Sequence, residues 1–156
     1  MRIYLFRHGR AVEETATLPD DHRYLNATGR RRAREVGARL AKEGVELDAV
    51  LTSPLVRAVQ TAELVAERLG FLGEIETLPQ LAPGIPSRLV ANELASRGAA
   101  VAVFGHSPGV SDLGAFLCTR PSFPGLKPGQ CAVIEDGKPL WWIDPETLAV
   151  DRLLLA

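Results

Sequence analysis

Along this chain, short continuous apolar runs alternate with stretches in which apolar residues return every three or four positions. The first run, residues 3–6, stops abruptly at Arg7-His8-Gly9. Such a run reads as a short buried strand, and strand packing does not ask for a cation, an imidazole and a glycine at its end. Residues 9–24 carry charges, Pro19 and no period, and read as an active-site loop or a poorly ordered one. Ala33, Val36, Leu40 and Ala41 then recur at helical spacing, with Asn26 or Thr28 to cap the helix and Gly44 to end it. Residues 49–52 make a second short strand. Ser53-Pro54 offers an N-cap and a first-turn proline for a helix striped by Ala58, Ala62, Val65, Ala66 and Leu69, which Gly70 ends. Residues 74–78 form a weaker strand, 79–86 a loop, and Leu89, Val90, Leu94 and Ala95 a further helix ending near Gly98. Residues 100–104 repeat the opening grammar: an apolar run, then Gly105-His106-Ser107-Pro108, then a helix through Val110, Leu113 and Leu117. The remainder predicts a hairpin around Asp136-Gly137 and a last strand at 150–155.

Strands alternating with helices imply an α/β fold, a three-layer α/β/α arrangement with a mostly parallel central sheet, formed as one domain over residues 1–156. Ligands of such sheets bind beyond the carboxyl ends of the strands. One rim therefore collects Arg7 and His8, then Ser53-Pro54 with Arg57 one turn on, and His106.

Composition narrows the chemistry. With 156 residues, 46% hydrophobic and 24% charged, the chain has the make-up of a soluble globular domain. A net charge of -1 offers no global field for nucleic acid or an anionic membrane, so anion binding has to be local and neither is expected as a partner. The arginines at 30–34 read as a solvated helix face, broken up by Glu35 and without interleaved aromatics. Cys118 and Cys131 are too few for a zinc motif or a disulfide framework. No apolar run approaches the roughly 20 residues that span a bilayer, and the N-terminus lacks a signal-peptide pattern, so the expected location is the cytoplasm.

Two histidines on one rim raise the question of a metal, but Arg7 and Arg57 would oppose a divalent cation. An anion explains the set better. Guanidinium forks match phosphate oxygens, and the helix starting near Pro108 would turn its amino end toward the same space. A neutral His8 could attack phosphorus and form a phosphohistidine that water hydrolyses. Arg7, Arg57 and a protonated His106 would stabilise the equatorial oxygens. Gly9 would allow close backbone approach, and a carbonyl bonded to one ring nitrogen of His8 would free the other. Neither metal nor cofactor is called for.

These residues resemble the histidine phosphatase superfamily, which includes phosphoglycerate mutases. Arg7-His8-Gly9 after an N-terminal strand looks like its signature, and Leu25-Asn26-Ala27-Thr28-Gly29 is similar to its L-T-x-x-G helix start. The segment from Ser53 to Ala62 matches S-x-x-x-R-A-x-Q-T-A, and Gly105-His106 its second histidine. The resemblance covers residues 1 to about 115. It implies a phosphoglycerate mutase-like fold, His8 as the phosphorylated nucleophile, and a phosphate pocket of Arg7, Gly9, Arg57, His106 and Ser107. The short chain is most similar to phosphohistidine phosphatases of the SixA type, which place an arginine ahead of the helix start. Here that is Arg23, and the implied substrate is a phosphorylated molecule or a phosphohistidine protein. One departure matters: where the family usually carries a glutamate as general acid, this chain has Gln80 after Leu78-Pro79. An amide cannot donate a proton as Glu does, so Glu13, Glu14, Asp20 or Asp21 would have to supply one. A phosphate-binding regulator with little turnover, or a small-molecule phosphatase of the same superfamily, is the alternative.

Overall fold

The computed structural model describes residues 1–155. In chain order the elements are β1 (Arg2–Arg7), α1 (Ala27–Lys42), β2 (Ala49–Thr52), α2 (Val56–Leu69), β3 (Ile75–Thr77), α3 (Ala91–Leu94), β4 (Ala100–Gly105), α4 (Gly109–Leu117), β5 (Cys131–Glu135), β6 (Lys138–Ile143) and β7 (Val150–Arg152). The seven strands form one sheet in the order β3-β2-β4-β1-β5-β6-β7. Strands β3, β2, β4 and β1 run parallel, and β5, β6 and β7 extend the sheet antiparallel. β1 lies in the middle, between β4 and β5, which is why its apolar run is continuous: both faces are covered.

The strand alternation divides the core in two. Tyr4 and Phe6 face Ala33, Val36 and Leu40 of α1 and Ala62 and Val65 of α2. Ile3 and Leu5 face Val90, Leu94, Val110 and Leu113 on the other side. The sheet is thus the middle of three layers, as expected. Phe6 also stacks on Phe104 of the neighbouring strand, ring centroids 4.2 Å apart. This locks together the ends of the two strands that carry the histidines.

Some local expectations change. Asn26, not Thr28, caps α1, accepting from Gly29 N at 2.8 Å. Ala41 is exposed, and the buried stripe of α1 runs through Gly37 instead. Leu89 and Ala95 are also exposed, because 3₁₀ turns at Ser87–Val90 and Ala95–Arg97 flank the single turn of α3 and break the 3.6-residue period. The arginine face is solvated as read: Arg31 and Arg34 are exposed, and Arg31 pairs with Glu35 at 3.6 Å. The last strand stops at Arg152. No helix among the described residues is long and apolar enough to cross a membrane.

The segment between β1 and α1 is tied down at both ends. Asn26 N donates to the Arg10 carbonyl at 3.0 Å, Val12 N to the Tyr24 carbonyl at 2.9 Å, and Ala11 bridges Leu25. Leu25 is fully buried beneath it. The closest approach is at Gly29, where an added Cβ would lie 2.1 Å from the Arg10 carbonyl oxygen. Gly29→Ala therefore forces the loop off the helix and should lower the free energy of urea unfolding by about 3 kcal/mol. An unchanged urea midpoint would contradict this close packing.

Candidate active site

His8 is the first residue after β1. Its N–H donates to the Gly105 carbonyl at the end of β4, and its own carbonyl accepts from Gly129 N, each at 3.0 Å. The backbone is thus clamped by the end of β4 on one side and by the turn before β5 on the other. The ring Nδ1 lies 2.7 Å from the Gly9 carbonyl oxygen. A carbonyl can only accept, so Nδ1 carries the proton and Nε2 presents a lone pair. Gly9 is held in turn: its N–H donates to Thr61 Oγ1 at 3.0 Å, and that hydroxyl donates to the Arg57 carbonyl at 2.7 Å. Its α-carbon packs against α1, where a Cβ would meet Gly29 O and Leu25 Cδ2 at 3.3 Å.

Arg57, the second residue of α2, is only 5% exposed. Its Nε lies 3.4 Å from His8 Nε2. Its two terminal nitrogens go to Asp20: Nη1 donates to the backbone carbonyl at 2.8 Å and Nη2 to Oδ2 at 3.2 Å. Arg23 joins the same carboxylate, with Nη1 donating to Asp20 Oδ1 at 3.0 Å and Nε to the Val12 carbonyl at 2.6 Å. Arg7 donates through Nη1 to the Leu126 carbonyl at 3.0 Å, and its buried Nε has no protein partner. The His106 ring centroid is 5.0 Å from that of His8, tilted by 56°. Its Nε2 lies 2.8 Å from Ser53 Oγ. A groove of about 300 Å³, lined by Arg7, His8, Gly9, Glu13, Arg23 and Pro128 among others, opens in front of His8.

Burial sets the protonation of both rings. The His8 pKa falls from 6.5 to about 4, first because the ring is desolvated, then because the guanidiniums of Arg57, Arg7 and Arg23 repel an imidazolium; the bond to the Gly9 carbonyl opposes the shift. His106 falls to about 3 through burial, the neighbouring His8 and Arg57. The expected protonated His106 is therefore corrected for the ligand-free site: both rings are neutral near pH 7. Asp20 moves the other way in charge, its pKa lowered chiefly by the hydrogen bond from Arg23, and it stays a carboxylate.

His8, Arg7, Arg57 and His106 thus share one rim, with Arg23 bound to it through Asp20. Ser107 is exposed on the turn before α4, and Gln80 is half-buried in the 3₁₀ turn Pro79–Leu81, with its Oε1 buried and unpartnered. That turn lies at the ends of β2 and β4, where Leu78 N donates to the Thr52 carbonyl at 2.9 Å and a Cβ on Gly105 would be 4.0 Å from Leu81 O. Ser53 does not cap α2. That position is Leu55, and the Ser53 hydroxyl serves His106 while accepting from Leu55 N at 3.2 Å. Thr61 and Gln60 also have structural work at the site, Gln60 Oε1 accepting from Leu25 N at 2.8 Å. All three lie in the segment that carries Arg57, which is the signal that would have found them. Among the described residues, no group of three or more His, Cys, Asp and Glu side chains could hold a metal ion. Guanidiniums beside a neutral imidazole whose Nε2 is unprotonated can bind a tetrahedral oxyanion and place it for attack by that nitrogen.

A family model for the histidine phosphatase superfamily (branch 1) matches residues 3–82, and the chain belongs to that superfamily. It is 32% identical over 163 residues to the phosphohistidine phosphatase SixA of Escherichia coli, covering 99% of this chain and 100% of that protein. A solved structure of the protein histidine phosphatase SixA complexed with tungstate superposes with a TM-score of 0.86 at 31% identity, covering 96% of this chain and 100% of the other. An uncharacterized protein of Picosynechococcus is 38% identical over 88 residues, 56% of this chain and 50% of that one. The chain thus spans all of SixA and half the length of the cyanobacterial relative.

The two buried rings have a consequence for pH. Unfolded imidazoles take up protons near pH 6.5, whereas the folded ones do so only near 4 and 3. Between those limits the unfolded chain binds more protons, so stability falls as pH falls. Urea midpoints of the ligand-free protein should drop from pH 7 to pH 5, and inorganic phosphate, which favours the imidazolium, should reduce the drop. A midpoint that rises on acidification would contradict neutral rings.

Proposed function

We propose that this chain, working as a single domain, is a metal-independent phosphatase that forms a phosphohistidine on His8 and hydrolyses it, with phosphohistidine in a protein as the preferred substrate. The observation that carries it is the His8 ring: Nδ1 is committed to the Gly9 carbonyl, and Nε2 is unprotonated, its lone pair accepting only a long hydrogen bond of 3.4 Å from Arg57 Nε. Nε2 attacks phosphorus, the bond to the leaving group breaks, and that group departs with the electron pair. Arg7, Arg23 and Arg57 hold the equatorial oxygens, with the backbone at Gly9 and the Ser107 turn at the margins of the pocket. A bound dianion offsets the guanidiniums around His106, so His106 gains its proton with the substrate and adds to that stabilisation, while His8 Nε2 stays unprotonated and directed at phosphorus. Water then attacks phosphorus, the P–N bond breaks back to the neutral imidazole, and phosphate leaves with the proton. Tungstate, held by SixA in its solved structure, is a tetrahedral oxyanion of the same kind.

Substrate choice follows from what the site lacks. Gln80 is an amide, and Asp20 is held as a carboxylate, so neither is a ready proton donor, and the carboxylate lining the groove, Glu13, is exposed to solvent. An imidazole, whose conjugate acid ionises near pH 6.5, leaves without help, whereas an alkoxide does not. Phosphohistidine and aryl phosphates are therefore favoured over alkyl and sugar phosphates. The name of the Escherichia coli relative, phosphohistidine phosphatase, supports the same choice. Two buried, unpaired cysteines suit a reducing cytoplasm. The same Gln80 favours a second reading, a phosphate-binding regulator that keeps the pocket but turns over little.

With p-nitrophenyl phosphate and no added metal, steady turnover is expected, and His8→Ala should lower kcat by at least about 1,000-fold because the covalent route is lost. Tungstate or phosphate binding without turnover in the unaltered protein would favour the regulator. Gln80→Glu should raise kcat/KM on alkyl phosphates by about 100-fold, the lower end of general-acid effects, with little change on phosphohistidine peptides. Equal rates on both substrate classes in the unaltered protein would overturn the leaving-group argument.

A further inference from the structure

Asp20 lies 37 positions before Arg57, yet it engages both terminal nitrogens of that guanidinium. The two contacts differ in kind. The backbone carbonyl takes Nη1 at 2.8 Å and orients the fork whatever side chain stands at position 20. The carboxylate takes Nη2 at 3.2 Å through Oδ2, and Arg23 Nη1 at 3.0 Å through Oδ1. It thus bridges two guanidiniums of the rim with one negative charge and two oxygens, the geometry in which two phosphoryl oxygens would be held. Arg57 is nearly buried, its side chain 6% exposed, whereas the Asp20 side chain is 43% exposed. The cation is enclosed by protein, and the carboxylate borders solvent.

We propose that the Asp20 carboxylate is an internal counter-anion: it occupies the donors of Arg23 and Arg57 in the empty site and is exchanged for the incoming phosphoryl group. This rests on assigning those two arginines to the phosphoryl group, as above. The carboxylate keeps two like charges together in the absence of substrate. It weakens the binding of substrate and of product phosphate alike, and by returning to the guanidiniums it helps the product leave. Asp20 is in this role an affinity-setting residue for the phosphoryl group and not the proton donor.

The test compares inhibition of p-nitrophenyl phosphate hydrolysis by tungstate and by inorganic phosphate in the unaltered protein, Asp20→Asn and Asp20→Ala. Both variants keep the backbone contact to Arg57 Nη1. Inhibition constants for both anions should fall about tenfold in both variants, equivalent to about 1.4 kcal/mol, with KM falling in parallel. Unchanged or weaker inhibition would mean that the carboxylate orients the guanidiniums and does not compete for them. Unchanged inhibition with kcat lost only on alkyl phosphates would make Asp20 the acid; either result overturns the proposal. If the unaltered protein neither binds tungstate nor turns over, the phosphatase assignment itself has failed, an outcome distinct from both.

Discussion

The hydrogen bond from His8 Nδ1–H to the Gly9 carbonyl is the constraint on which the site depends. It decides which ring nitrogen holds the proton, and so which one faces the guanidinium. The bond is short-range, but what fixes the carbonyl is not. Gly9 N–H, the Thr61 hydroxyl and the Arg57 carbonyl form a buried chain that joins the turn after β1 to the first turns of α2. The imidazole and the guanidinium are positioned through the same three groups. Their separation is therefore a property of how α2 packs on the sheet and not of two independent side chains.

The protein's own groups work electrostatically against charge on the histidines. Burial, with three guanidiniums at His8 and two at His106, holds both rings neutral, which suits a nucleophile but leaves a cluster of cations to be balanced. One carboxylate does part of that, and an arriving phosphoryl dianion would do the rest. The cationic surroundings that keep His8 unprotonated before binding also oppose a charge on His106, and a seated anion lifts that opposition by placing a negative charge beside the ring.

Chemistry at the leaving group separates this site from one built for alkyl esters. A carboxylic acid near the end of β2 would assist any departing oxygen. An amide with a buried, unpartnered carbonyl oxygen, in the turn after β3, gives no such help. The selectivity argued for phosphohistidine thus comes from a missing proton as much as from the groups that are present.

Much of this was legible in the sequence, because the signals concerned are local. Residues 3–6 and 100–104 read as buried strands because a short apolar run ending at glycine and polar residues suits a strand covered on both faces, and residues 3–6 and 101–104 lie in the core. The Asn26 cap, the Gly70 terminator and the strand-end placement of His8 and His106 follow from neighbours a few positions away. The differences are also local in cause: Leu89 and Ala95 fit a helical period that 3₁₀ turns do not keep. Ser53 before Pro54 has the local pattern of a cap, and nothing nearby reveals that His106, 53 positions on, takes its hydroxyl.

The amino-acid order alone determined which chemistry was available: one imidazole at a strand end, a second on the same rim, arginines to meet an anion, and an amide where an acid would stand. Only the tertiary structure decided which of four loop carboxylates meets Arg57, which hydroxyl holds Gly9, and which nitrogen of His8 is free. Those choices depend on contacts between segments tens of residues apart. Such contacts are set by how α1 and α2 pack on the sheet, and no pattern within a single segment encodes them.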